Sequence, residues 1–337
     1  MQRTVFLFAV FLVMSGCGST GPLDRYTCCR QQPLGTPAKP GELRVTFLGN
    51  STLFFSDGEE HLLIDGFISR PGLLQFVFGR IEPDQDRIHA MLERLDIEEQ
   101  SLKAVIPVHS HYDHVLDAGE VAKRTGALLV GSPSTLTVGS WSDLPRSQMR
   151  NVAENPKLTV GNYQLTFIKS KHAPAGPLRQ FFGGKLGAEI DAHSRPPLRA
   201  GCYHEGGSYS ILIEHGTQRI LVHASAGFAE DALAHPDYQA DVVFLGIGGL
   251  GQASPAYKRK YFRETVEAVN ATTIVPVHWD NFMRPETPGL KPFTPLFDNF
   301  HGAMGFLVEQ ADNSPDRTLI ILDSWEQLNL SRLGGRD

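Results

Sequence analysis

The stretch PVHSHYDHV (107–115) places three histidines and an aspartate, His109, His111, Asp113 and His114, within six positions. Imidazole suits Zn²⁺ and other first-row ions, and a carboxylate beside it adds a hard anionic donor. In an extended or turning segment His109 and His111 point to one side, whereas Asp113 and His114 open the next turn and can face a second point in space. One short segment can therefore feed one ion or two neighbouring ones. A polar helix start with Asp113 as its cap would need no metal. With histidine at 13 of 337 positions, however, the pattern HxHxDH arises by chance in roughly one in several hundred such chains.

Such a cluster needs elements to hold it. KAVIPV (103–108) is a continuous apolar run leading into the histidines, and DHVLDAGEVAKR after it can be helical until Gly126 stops it. The cluster thus sits where a strand gives way to a helix, outside the carboxyl end of a strand, where ligands commonly bind. Upstream, LRVTFLG (43–49), STLFFS (51–56) and HLLID (61–65) read as short strands, with Asp57-Gly58 turning the last two into a hairpin. In DQDRIHAMLERL, Ile88, Met91, Leu92 and Leu95 share one helix face. Further strands are expected at 158–170, 208–214, 218–224, 242–248, 272–279 and 318–322, with YKRKYFRETVEAVN a helix between two of them. The alternation makes the class α/β. GNSTLFFSDGEEHLLID (49–65) and GSYSILIEHGTQRILVH (207–223) are equally long, each a Gly, a strand, a Gly turn and a second strand. Two such hairpins suggest a duplicated architecture.

HSHYDH at the end of an apolar strand, after the opening LRVTFLGNSTLFF and LLIDGF, resembles the HxHxDH signature of the metallo-β-lactamase superfamily, over roughly residues 42–322. The resemblance implies a four-layered αβ/βα sandwich of two similar halves, with metals at one edge between the sheets. The opening strands and VPVHWDNF look most like the branch of ascorbate-6-phosphate lactonases and N-acyl-phosphatidylethanolamine phospholipase D. By the same resemblance His172 in KSKHAPAGP is the third histidine and His278 in VPVHWDNF the terminal one. One ion would then have His109, His111 and His172, the other Asp113, His114 and His278. Where many members carry a bridging aspartate, ILVHASAGF places Ser225. Three arrangements stay open there: a hydroxide bridges alone, as in one lactamase subclass with Ser at this place; His223 turns in as a surrogate ligand; or the second site weakens until one ion dominates. Two ions are favoured because both ligand sets are otherwise complete. Zinc is the expected metal, with manganese and iron open. His223 reads more readily as a donor behind a ligand or a satisfied core histidine. Asp65, ending the first hairpin, is expected to accept a hydrogen bond from a metal-bound histidine.

Other residues invite less. Residues 173–207 form a long Gly- and Pro-rich segment that could be a lid, and no specific role is expected of His193, His204 or Glu205 within it. Packing explains Tyr112 and Trp279 as well as a pocket wall does. GIGGLGQ (246–252) lacks the lysine of a P-loop and reads as a backbone turn.

The chemistry expected of this set is hydrolysis by a metal-bound hydroxide, with Asp113 holding the second ion and orienting the hydroxide. The resemblance points to a phosphodiester, phospholipid or lactone ester. A β-lactamase-like enzyme and a metal-binding lipoprotein without catalysis are the alternatives. With 337 residues, 41% of them hydrophobic, the chain can bury a proper core. A net charge of −6 with no basic run offers no footprint for nucleic acid. Arg3, the apolar TVFLFAVFLVM (4–14) and MSGC resemble a bacterial lipoprotein signal, with Cys17 lipidated. The expected division is a signal peptide (1–16), a lipidated Cys and flexible tether (17–41) and a metallo-hydrolase domain (42–330). Gly18 is not the aspartate that retains lipoproteins at the inner membrane, so the outer membrane, facing the periplasm, is the expected address. Its partners would be that membrane and a small-molecule or lipid substrate. Cys28, Cys29 and Cys202 leave either one bridge to Cys202 or free thiols.

Overall fold

β-Branched and aromatic residues recur in short runs, and in the computed structural model, which describes residues 21–30, 38–98 and 100–333, they become strands. The expected signal peptide and Cys17 lie outside the described residues. The first half contributes β1 (Arg44–Phe47), β2 (Leu53–Ser56), β3 (His61–Ile64), β4 (Leu102–Ile106), β5 (Leu128–Gly131) and β6 (Met149–Asn151). The second contributes β7 (Lys157–Val160), β8 (Tyr163–Ser170), β9 (Ser208–His215), β10 (Gln218–His223), β11 (Val242–Gly246), β12 (Thr273–Val277) and β13 (Thr318–Leu319). A last strand, β14 (Gln327–Asn329), returns to β1.

Two seven-stranded sheets result, ordered β14-β1-β2-β3-β4-β5-β6 and β13-β12-β11-β10-β9-β8-β7. In each, an antiparallel hairpin (β2–β3 with Leu53 opposite Ile64, or β9–β10 with Ile211 opposite Val222) runs on into parallel strands. The echo in the sequence is this repeated unit. Side-chain alternation then divides the interior. Leu53, Phe55, Leu62, Ile64, Ala104 and Ile106 face the other sheet and join its Ile211, Ile213 and Val222, while Phe54, Leu63 and Val105 face a helical layer.

The helices are α1 (Leu73–Phe78), α2 (Gln85–Arg94), α3 (Tyr112–Val115), α4 (Ala118–Thr125), α5 (Pro133–Trp141), α6 (Pro177–Gly183), α7 (Pro255–Phe262) and α8 (Phe300–Asp312). Asp84, Ser132, Ser254 and Asn299 cap α2, α5, α7 and α8 through side-chain oxygens. Gly126 ends α4 in the left-handed conformation at φ 74°, as its sequence position anticipates. The architecture is the expected layered α/β sandwich, and no described helix is long and apolar enough to cross a membrane.

Two expectations need correction. The single strand expected over 158–170 is a hairpin, because Gly161 at φ 55° and Asn162 turn the chain between β7 and β8. Within the expected tether, Gly21–Arg30 is docked, since Leu23 and Tyr26 are buried in the hydrophobic cluster that includes Phe300 of α8. Tyr26 packs edge-on against Phe300 at 5.9 Å and its hydroxyl lies 2.9 Å from His301 Nδ1. A cavity of about 250 Å³ lies between this segment and Gly289, Leu290 and Asp323. At the other end β14 is followed by a turn at Leu330–Arg332. The described cysteines are free thiols: Cys28 and Cys29 sulfurs lie 2.9 Å apart, and Cys202 packs on the separate helical-side core.

Candidate metal centre

The six expected ligands converge at one edge of the sandwich because each follows the carboxyl end of a strand. His109 and His111 follow β4, and His111 leads into the short helix α3, whose first turn carries Asp113 and His114. His172 follows β8, and His278 follows β12. β8 and β10 both run antiparallel to β9, so the ends of β8, β10 and β12 lie on the same side.

Two groups form. His109, His111 and His172 present one nitrogen each, and Asp113, His114 and His278 one donor atom each; within each group these atoms lie within 4.8 Å of one another. His109 Nε2 and His111 Nδ1 face each other at 3.1 Å. Asp113 Oδ2 is 3.2 Å from His278 Nε2 and 3.7 Å from His114 Nε2. The groups adjoin, with the rings of His109 and His114 3.9 Å apart between centroids.

The donor set fits cations. Buried polar atoms are ordinarily hydrogen-bonded, yet His114 Nε2, the nitrogen turned towards Asp113, is buried with no hydrogen-bond partner. Burial, followed by neighbouring histidines, holds the pKa of His109 and His111 well below the ordinary imidazole value, so both carry free lone pairs. Burial also depresses His172. At Asp113 burial would raise the pKa, but His114, His278 and His111 overcome it and keep the carboxylate ionised. Several neutral imidazoles and a single carboxylate in a buried cluster are a ligand set awaiting positive charge.

Partners behind the rings fix which nitrogen faces the cluster. Asp65 Oδ2 lies 2.8 Å from His114 Nδ1 and its Oδ1 accepts from Val108 N at 2.9 Å, which leaves His114 Nε2 turned inward. Ser51 Oγ is also within 3.1 Å of His114 Nδ1. His172 Nδ1 donates to the Ala173 carbonyl at 2.7 Å. Asp65 thus lies behind the His114 ring, on the side away from the cluster.

Ser225 and His223 stand apart from both groups. Ser225 Oγ accepts from Ala173 N at 3.0 Å and so steadies the backbone beside His172. Both nitrogens of His223 are engaged, Nδ1 with Ser210 Oγ at 2.7 Å and Nε2 with the Gly227 carbonyl at 2.6 Å, and burial lowers its pKa to about 4. Of the readings left open for His223, this geometry matches the satisfied core histidine. Asp113 is the only carboxylate in the two groups among the described residues.

Several residues escaped the sequence reading. Asn50 accepts from His278 N at 2.5 Å, donates Nδ2 to the Asp113 carbonyl at 2.6 Å and donates N to Asp280 Oδ1 at 2.6 Å. Asp280 also pairs with Arg70 at 2.6 Å, both side chains wholly buried, and Arg70 Nη1 donates to the Arg284 carbonyl. A Cβ at Gly49 would lie 2.6 Å from Arg70 Nη2, and one at Gly248 2.6 Å from His278 Nδ1. Gly248 in GIGGLGQ is therefore a close-packing position beside a ligand. Asn50, Asp65 and His278 all have positive φ, at 52°, 56° and 58°. Such backbone costs on the order of 1 kcal/mol per residue and persists where surrounding contacts over-determine it. Local signals for this network were weak: only Gly-Asn at 49–50 and the Asp two residues after His278 hinted at it. Of the residues given no role, Trp279 packs in the core against Phe47 and Phe300, and His193 is exposed. Glu205 is buried, accepting from Gly187 N and Ser208 Oγ while its carbonyl accepts from Ser110 N.

Comparison with known proteins agrees with the fold. A family model described as the metallo-beta-lactamase superfamily matches residues 44–278. A UPF0173 metal-dependent hydrolase of Christiangramia forsetii is 30% identical over 147 residues, 44% of this chain and 54% of that protein. Thus the chain spans only about half of that relative's length. A UPF0173 metal-dependent hydrolase of Staphylococcus aureus strain JH9 is 21% identical over 248 residues, 71% of this chain and 87% of the relative. Among solved structures, the metallo hydrolase Igni18 of Ignicoccus hospitalis superposes with a TM-score of 0.51 at 14% identity, covering 85% of this chain and 97% of that one. The diiron β-hydroxylase CmlA of Streptomyces venezuelae gives 0.50 at 15% identity, covering 87% and 55%.

Proposed function

We propose, from the premise that this chain belongs to the metallo-β-lactamase superfamily and is a metal-dependent hydrolase, that it binds two zinc ions and cleaves a phosphodiester, phospholipid or lactone ester. The observation that carries the reading is the pair of complete, adjoining donor groups. Ions held there would lower the pKa of water toward neutrality and polarise the scissile ester. His109, His111 and His172 would hold one ion; Asp113, His114 and His278 the other. The chain's own part is positional: Asp65 holds the His114 ring with Nε2 inward, and the Ala173 carbonyl does the same for His172. Asp113, ionised, offers a carboxylate oxygen to orient the attacking water. No side-chain nucleophile is required.

The lactonase and phospholipase branch is supported by the LRVTFLGNSTLFF opening and by the HWD segment, whose Asp280 anchors Asn50. The MSGC motif supports export, lipidation at Cys17 and an outer-membrane address facing the periplasm. Ser225 in place of a carboxylate favours a second reading, in which one ion is weak and the protein binds metal without turnover.

The test is metal analysis of the purified chain combined with assays of a bis-phosphodiester, a lactone and a chromogenic β-lactam, with and without chelator. Two metals per chain and chelator-sensitive ester cleavage are expected. Metal without turnover on any ester would sink the hydrolase assignment to these substrates, and cleavage of the β-lactam alone would shift it to the lactamase reading. His111→Ala is expected to empty the first group and abolish turnover.

A further inference from the structure

The large hydrophobic side chains that are more than half exposed among the described residues are Leu73 (54%), Leu74 (76%), Phe78 (79%), Phe181 (70%), Leu296 (83%) and Phe297 (58%). They come from three segments far apart in sequence: 72–80 around α1, 177–185 around α6, and the loop 281–297. All three segments meet at the metal cleft. Phe76 of the first lies 5.3 Å from Tyr112, which sits between His111 and Asp113. In the second, a Cβ at Gly184 would lie 2.9 Å from His111 Cδ2. The third places Phe282 5.5 Å from the ring of His278. Phe76 also reaches Phe182 at 6.1 Å, and Phe282 continues through Phe293, at 5.0 Å, to Phe297, a further 6.4 Å away. Phe181 and Phe297 are the exposed ends of this aromatic chain, and Leu73, Leu74, Phe78 and Leu296 are exposed within a few residues of its members Phe76 and Phe297.

We propose that these residues form a rim that is a docking surface for a bilayer containing anionic phospholipids, which goes beyond the hydrolase reading above. Exposed apolar surface gathered in one place marks an interaction site. Charge selects the occupant. Outside residues 177–179, the three segments carry four basic residues, Arg80, Lys185, Arg284 and Lys291, against one acidic, Glu286, in a chain of net charge −6. Apolar side chains ringed by Lys and Arg suit insertion between anionic headgroups. A second copy docking rim to rim would bring these like charges together. The course of the chain agrees: Gly21 lines the same cavity as Gly289 and Leu290 of the third segment. Cys17 is four residues earlier, a reach of at most about 14 Å, so a lipid there would draw the rim towards the membrane.

The test uses the chain from residue 18, which keeps every described contact, sedimented with vesicles of phosphatidylethanolamine and phosphatidylglycerol or of phosphatidylcholine alone. Binding to the anionic vesicles is expected, weaker by about tenfold on phosphatidylcholine. In the variant L74S/F78S/L296S/F297S binding should fall by about tenfold or more, with unchanged melting temperature and unchanged turnover of soluble bis-p-nitrophenyl phosphate. Arg80→Glu with Lys291→Glu should weaken only the anionic-vesicle binding. A parent chain that sediments with neither vesicle, or a serine variant that binds as well as the parent, overturns the proposal. So does a parent that self-associates through the rim while ignoring vesicles. Vesicle binding by a chain that turns over no soluble phosphodiester supports docking and counts against the phosphodiester reading.

Discussion

His114 lies against two carboxylates with different tasks. Asp113 shares its donor group, whereas Asp65 sits behind the ring on Nδ1. Asp65→Asn keeps the volume but loses the charge that fixes the ring, and metal affinity should drop by about 10- to 100-fold in a competitive chelator titration. Unchanged affinity would show that Ser51, also near Nδ1, suffices. His223 gives the complementary case. With both nitrogens satisfied, His223→Ala should cost roughly 2–4 kcal/mol of stability in denaturant unfolding and leave metals per folded chain unaltered. Loss of a metal would restore it as a ligand. His109, His111, Asp113 and His114 were legible from their residue types and spacing past a strand end, whereas His172 and His278 were legible only through the family resemblance. Asn50 and Arg70 were not, because what they do depends on Asp280, more than two hundred positions away.

Between elements, Asp57 ties the two hairpin units together. It sits in the β2–β3 turn and accepts from the N–H groups of Glu59 and Glu60, from Asn162 in the β7–β8 turn, and lies 3.1 Å from His215 Nε2 at the end of β9. Burial pushes its carboxyl up, yet these bonds hold it down at about 2, against an ordinary 3.8. Because the folded-state value is depressed, the contribution is full above about pH 4 and lost as pH falls towards 2. It amounts to about 1–2 kcal/mol after allowance for solvent screening. Acid unfolding of Asp57→Asn should therefore lack this step while the parent shows it; identical acid limbs would refute the clamp. The 158–170 run shows how a period-two pattern misleads. Alternation through Leu158 and Val160 resumes one position out of phase at Tyr163, Leu165 and Phe167, so a run read without its phase joins what the Gly-Asn turn separates.

At the scale of the whole molecule, the two-half plan was readable from the paired hairpins, because register and hydrophobic alternation are local properties that the fold repeats. The docking of Gly21–Arg30 was not, since two apolar residues in a polar run carry no periodicity. A chain begun at residue 41 should melt about 5 °C below one begun at residue 18, having lost the burial of Leu23 and Tyr26. Equal melting temperatures would return this segment to tether. Each donor group takes two residues from the first half and one from the second, with His172 and His278 supplied by the strands of the other sheet. Neither group is complete until both halves have folded and met. An ion held by either group would therefore bind only the joined halves, and its binding free energy would favour their union over either half alone.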